Sequence, residues 1–204
     1  LLGDDPALIA AQDDADAAGL PPIEVSPQGG KLLSLLATAA RARRILEIGT
    51  LGGYSTIGLA RAVGPGGNVV TLEYEPRHAA VARANLQRAG VGDRVEIIVG
   101  AALDTLPTLA DRGDRFDFAF IDADKENNST YVQWAIDLGH PGTVIVVDNV
   151  VRNGRVLDPA VDDHQARAVR DMLEMMGGHP RLDTAAIQTV GVKGWDGFAL
   201  ALVK

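Results

Sequence analysis

The chain contains no cysteine. Disulfides, thiolate-bound zinc, iron–sulfur clusters and a cysteine nucleophile are therefore excluded. Basic residues are outnumbered: 19 Lys and Arg face 27 Asp and Glu, for a net charge of −8 and a pI of about 4.9. Nucleic-acid binding needs a basic face, so this balance argues against such a partner while leaving an anionic small molecule open. No apolar run approaches the ~20 residues of a membrane span, and no basic-then-apolar leader is visible. No membrane partner is expected, and a reducing cytoplasm suits the composition. The chain opens at Leu1 without Met, which leaves room for a preceding segment. Internal repeats, linkers and low-complexity tracts are also missing.

What is present is ample material for one large core. The 204 residues are 47% hydrophobic, with mean hydropathy +0.07, which fits a single domain over 1–204. Leu1 to Ala18 predicts a short acidic helix, broken by Gly19-Leu20-Pro21-Pro22. Ile23 to Gly30 reads as a loop and Lys31 to Arg41 as a helix, so residues 1–42 form a helical and loop region ahead of the first core strand. From there strands and helices alternate. Strands are predicted at Arg44 to Gly49, Asn68 to Glu73, Arg94 to Val99, Phe116 to Ile121 and Thr143 to Asp148. Helices fall at Tyr54 to Ala62, Pro76 to Ala89, Ala101 to Ala110, Glu126 to Leu138 and Asp162 to Met176. Strands at Arg181 to Val190 and Phe198 to Val203, joined through GVKGWDG, read as a closing antiparallel hairpin. Such alternation implies a Rossmann-like, doubly wound α/β sheet with helices on both faces.

In that architecture ligands gather beyond the carboxyl ends of the strands. The run FDFAFIDADK, Phe116 to Lys125, is a buried strand that ends in Asp122, Asp124 and Lys125. TVIVV, from Thr143, ends in Asp148 and Asn149. Asp122, Asp148 and Asn149 at one sheet edge supply an all-oxygen set of the kind that Mg²⁺, Ca²⁺ or Mn²⁺ prefers. The plainer alternative is separate acids capping neighbouring helices, which is common for single Asp residues. Lys125 follows Asp122 by one helical turn, close enough for its amine to turn back on the site; taken alone, it reads as a solvated lysine.

ILEIGTLGGYST is a strand, a glycine turn and a helix start. The dinucleotide fingerprint needs G-x-G-x-x-G, and from Gly49 this loop runs G-x-x-G-G, with Glu47 just before it. An acid there repels a pyrophosphate and suits an amine-bearing ligand. Glu73 ends the next strand, about 20 residues on, where an acid can accept both hydroxyls of a ribose. Glu47, the loop and Glu73 describe a pocket for a nucleoside with a positive, amino-acid-like tail, which is the shape of S-adenosylmethionine. A tight turn beside a solvated acid is the alternative.

Together EIGTLGGYS, Glu73, FDFAFIDADK and VVDNVVRNG resemble the cation-dependent O-methyltransferases typified by the caffeoyl-CoA and catechol enzymes. The resemblance runs from Ile23 to Lys204. It implies a seven-stranded sheet with an antiparallel last strand, a homodimer, and methyl transfer from S-adenosylmethionine to a vicinal-diol phenol, leaving S-adenosylhomocysteine. It implies that Asp122, Asp148 and Asn149 hold the cation, Mg²⁺ above all, and that Lys125 and Asp122 are catalytic. The cofactor would touch Val25, Glu47, Gly49, Thr50, Ser55, Glu73, Ala102, Asp122 and Asp124 beneath the 1–42 region, and Asn153 would face the substrate. Arg152 replaces the Trp of the plant enzymes, and Asn128 stands where an aromatic is common; both are expected near the acceptor.

The histidines show no ligand spacing and read as surface or packing residues, and Arg41, Arg43 and Arg44 as a solvated helix end, with contact to an acidic substrate tail as the alternative. Met172, Met175 and Met176 read as core, and Trp134 and Trp195 as packing residues or as lining of the dimer contact. Two rivals remain. A nicotinamide-dependent dehydrogenase fails on the glycine loop and Glu47. A non-catalytic S-adenosylmethionine-binding protein has no need of Asp122, Lys125, Asp148 and Asn149 together.

Overall fold

The structure, a computed structural model, describes residues 2–192 and 194–204. Its strands are β1 (Arg44–Ile48), β2 (Asn68–Glu73), β3 (Val95–Val99), β4 (Phe118–Ile121), β5 (Val144–Asp148), β6 (Leu182–Gly191) and β7 (Gly194–Val203). They form one sheet in the order β3-β2-β1-β4-β5-β7-β6. The first five in that row are parallel, and β7 is antiparallel to both its neighbours.

Alternation along the strands explains the layers. Leu46, Ile48, Ala119, Ile121, Ile145 and Val147 point to one face. Ile45, Val69, Phe118, Phe120 and Val146 point to the other. The first face is covered by α5 (Ala102–Asp111), α6 (Asn128–Asp137) and α7 (His164–Gly178). The second is covered by α1 (Pro6–Ala17), α2 (Pro27–Ala39), α3 (Tyr54–Val63) and α4 (Pro76–Arg88). Met172 and Met176 are fully buried on α7, as their spacing suggested, and Met175 packs against them in part.

Several element boundaries differ from expectation, three of them near the site or the closing hairpin. The loop expected over residues 23–30 ends at Ser26, whose hydroxyl accepts the Gly29 N–H at 3.1 Å and caps α2, with Pro27 in the first turn. Gly29 and Gly30 looked like loop residues; inside α2, Gly30 instead lets the helix come close to the Tyr54 ring. The helix expected from Glu126 opens with a 3₁₀ turn, Lys125–Asn127, before α6. The last strand begins at Gly194 rather than Phe198, because the hairpin continues beyond the end of β5, Trp195 pairing with Val190 and Asp196 with Thr189. Lys193, within the GVKGWDG stretch expected to join the last two strands, lies outside the described residues, as does Leu1.

Register positions the site. Ile48 pairs with Leu72 on β2 and with Ile121 on β4, and Ile121 pairs with Val147 on β5. One residue further along each strand stand Glu73, Gly49, Asp122 and Asp148, in a row at the carboxyl rim. The basic cluster is at the opposite rim, where Arg44 begins β1 and binds Asp114 at 2.6 Å. Arg43 donates to the carbonyls of Val63 and Pro65.

Candidate active site

Two cavities open at the carboxyl rim, of about 860 Å³ and about 640 Å³. Gly49, Thr50, Ser55, Glu73, Ala102, Asp122, Asp124 and Lys125 all line the larger one. Asp148 and Asn153 line the smaller. Val25 and Asn149 are common to both. The sequence-expected residues, Glu47 excepted, thus meet at one rim, split between two adjoining spaces.

The glycine loop is held from below. Gly49, at φ +99°, passes so close to β4 that a Cβ would lie 2.1 Å from the Asp122 carbonyl oxygen. Glu73 Oε2 accepts the N–H groups of Thr50 and Leu51 at 3.1 and 2.8 Å, and its Oε1 accepts that of Glu75 at 2.9 Å. His78 Nδ1 lies 3.3 Å from Glu73 Oε1, and His78 lines the larger cavity. It is on the first turns of α4, after the strand end that carries Glu73, a placement that a lone histidine does not announce.

Glu47 lies behind the wall. It is wholly buried and lines neither cavity; its carboxylate accepts the hydroxyls of Ser55 and Thr56 at 2.6 Å each and of Thr71 at 2.7 Å. Burial raises its carboxyl to about 7, against the pull of these hydroxyls and with a smaller push from Asp122. Its reach to the cavity runs through Ser55. The Thr50 and Thr71 hydroxyls, 2.6 Å apart, extend the same network to the loop.

At the neighbouring strand ends, Lys125 Nζ donates to Asp122 Oδ1 at 2.8 Å, with Lys125 only 7% exposed. Lys125 is no solvated lysine: the 3₁₀ turn folds it back onto the strand end. Asp148 accepts the Asn149 N–H at 2.7 Å. Burial and then the negative charge of Asp122 push the Asp148 carboxyl well above its usual range, Asn149 and Lys125 working the other way. Two acids that repel each other beside an amide oxygen make a donor set able to hold a hard cation. Asp124 is turned to Tyr131, whose hydroxyl donates to it at 2.6 Å, and to the Asn127 amide. Tyr131 is held above its ordinary range by burial and by Asp124.

The loop after β5 is bent through Asn149, Arg152, Asn153 and Gly154, all at positive φ. Arg152 lines both cavities and is held by Gln165, a pairing that no local pattern signals. Asn128, expected at the acceptor pocket, is instead fully buried and lines neither cavity; its amide has no hydrogen-bond partner. The helical phase after the 3₁₀ turn points it into the core.

The strand order, the antiparallel β7 and the glycine loop with its strand-end acids define the class of S-adenosylmethionine-dependent methyltransferases. Within that class the chain belongs to the O-methyltransferase family, whose sequence profile matches residues 8–203. It is 68% identical over 204 residues to the catechol O-methyltransferase of Mycobacterium tuberculosis, covering 100% of this chain and 91% of that one. It is 50% identical to the catechol O-methyltransferase of Niastella koreensis, covering 100% and 93%. The crystal structure of an O-methyltransferase from Bacillus cereus in complex with S-adenosylhomocysteine superimposes with a TM-score of 0.97 at 50% identity, over 100% of this chain and 93% of that one.

Proposed function

We propose that the protein moves a methyl group from S-adenosylmethionine to one hydroxyl of a catechol-like phenol, with a divalent cation at the rim, Mg²⁺ above all. The observation that carries this is the register that sets Asp122 and Asp148 side by side, with Lys125 Nζ 2.8 Å from Asp122 at the cavity wall. Catechol O-methyltransferases at 68% and 50% identity supply the acceptor class.

Asp122, Asp148 and Asn149 would hold the cation, whose chemistry when bound is to orient two vicinal oxygens and make a hydroxyl easier to ionise. Their mutual repulsion, described above, is what such an ion relieves. Glu73 would receive the ribose hydroxyls of the donor, and Gly49, Thr50, Ser55, Ala102, Asp124 and Val25 would line its place. Lys125 Nζ would take the acceptor's proton, and the phenolate oxygen would then attack the sulfonium methyl in line as the S–C bond breaks. Opposite charges vanish in that step, so a site closed against water favours it. The 1–42 region would contribute that closure through Val25, which is buried between the cavities. Asn153 would meet the acceptor from the smaller cavity.

The protein would work as one catalytic unit over 1–204, as a homodimer in a reducing cytoplasm. Among the described residues no helix is long and apolar enough to cross a membrane. Exposed Ile187, Val190 and Trp195 on the projecting hairpin support a second copy as partner.

Chelation tests the reading. EDTA should abolish methylation of catechol, and added Mg²⁺ should restore it. Asp148→Ala should lower turnover by about 10² or more while S-adenosylhomocysteine still binds. Full turnover in chelator removes the cation from the reaction. Cofactor binding without methyl transfer to any vicinal-diol phenol favours a non-catalytic binding protein.

A further inference from the structure

Arg152 supplies a charge that the reaction above does not use. It borders both cavities, beside Asn149. Its Nη2 donates to the neutral amide oxygen of Gln165 at 2.6 Å. Its Nε is sealed from solvent and has no hydrogen-bond partner. Arg152 makes no salt bridge with the described residues, and Asp163 feels its charge only at longer range. Asp163 takes Arg155 at 2.6 Å. Asp196 Oδ1 accepts the N–H groups of Val151, Arg152 and Gly197.

The side chain is also set by its backbone. Arg152 adopts φ +53°, a conformation that costs a non-glycine residue energy, with its own N–H fixed on Asp196 at 2.9 Å. Nη1 makes no hydrogen bond with the described residues, so the guanidinium keeps an edge for a ligand in the cavities it borders. The group that its planar fork matches is a carboxylate. Leu32, Leu36, Val146 and Phe198 give the smaller cavity an apolar stretch that suits the ring of a phenolic acid, beside a polar part lined by Glu24, Asp148, Arg155 and Asp196.

We propose that Arg152 sets the acceptor's charge: the preferred substrate is a vicinal-diol phenol that bears a carboxylate, bound by the Arg152 guanidinium. This rests on the methyl transfer proposed above. Glu24 borders both cavities as well, and an acceptor chosen through it would carry an amine instead.

Initial rates with 3,4-dihydroxybenzoate, catechol and dopamine, at saturating S-adenosylmethionine and Mg²⁺, separate these cases. The expected order of kcat/KM is benzoate first, by about tenfold or more over catechol, with dopamine last. Arg152→Met should collapse the benzoate-to-catechol ratio, and Arg152→Lys should restore part of it, since lysine returns the charge without the fork. Equilibrium titration of 3,4-dihydroxybenzoate into the S-adenosylhomocysteine complex should show the same loss of affinity. Retained S-adenosylhomocysteine binding checks folding, and the Lys variant is read alone if the Met variant fails that check. Equal use of benzoate and catechol, a preference for dopamine, or a ratio unmoved by substitution overturns the assignment. Turnover of none of the three removes the proposed activity, and the titration then decides whether Arg152 binds the carboxylate.

Discussion

Lys125 and Glu47 are both buried charged residues, and their surroundings give them opposite tasks. Lys125 faces the cavity with its amine on Asp122, so Lys125→Met should lower kcat by about 10²–10⁴ while S-adenosylhomocysteine binds as before. An undiminished kcat would assign proton removal to another group. Glu47 faces inward, and its carboxyl titrates near 7 in the folded protein against an ordinary 4.5. Between those values the folded state holds a proton that the unfolded state has lost. Stability from this group therefore declines as pH rises from about 4.5 to 7, by about 3 kcal/mol in full. Glu47→Gln should flatten that part of the stability profile, as urea midpoints at either end of the window would register. Equal slopes in the two proteins would mean that Glu47 stays ionised inside the fold.

At the scale of elements, the closest constraint is the turn after β1. Gly49→Ala would drive a Cβ into the Asp122 carbonyl and impose a side chain at φ +99°. The cost should be roughly 2–5 kcal/mol, read as a lower melting temperature, together with weaker S-adenosylhomocysteine binding. Normal values for both would show that the turn can relax. The buried parallel strands were legible because they are short apolar runs that stop at acids, as FAFID and VIVVD do. The start of α2 was hidden because Gly29 and Gly30 look like loop residues until the Tyr54 ring is in place beside Gly30. Nothing local marks His78 on Glu73 or Arg152 on Gln165, since each pair is made by packing of separate elements. Asp122, Asp148 and Asn149 could be named from strand ends alone, whereas the burial of Asn128 depended on one unpredicted 3₁₀ turn.

Across the whole molecule, the β6–β7 hairpin is the element that carries apolar side chains out beyond the core. The hairpin of β6 and β7 runs past the end of β5, leaving Val190 84% exposed, and Ile187, on the edge strand level with Asp148, is 50% exposed. Sedimentation equilibrium should give a particle of twice the 21.4 kDa chain mass, and Val190→Asp should shift it toward the single chain. A wild-type particle of one chain would leave these residues to another role. The alignment of Glu73, Gly49, Asp122 and Asp148 has a broader effect. Four strands are knit rung by rung, so a slip of one rung anywhere between β2 and β5 displaces the tools on one side of the fault from those on the other. A half-zipped sheet therefore has no half-working form, and damage far below the rim can silence the enzyme without touching a single group that handles its substrates.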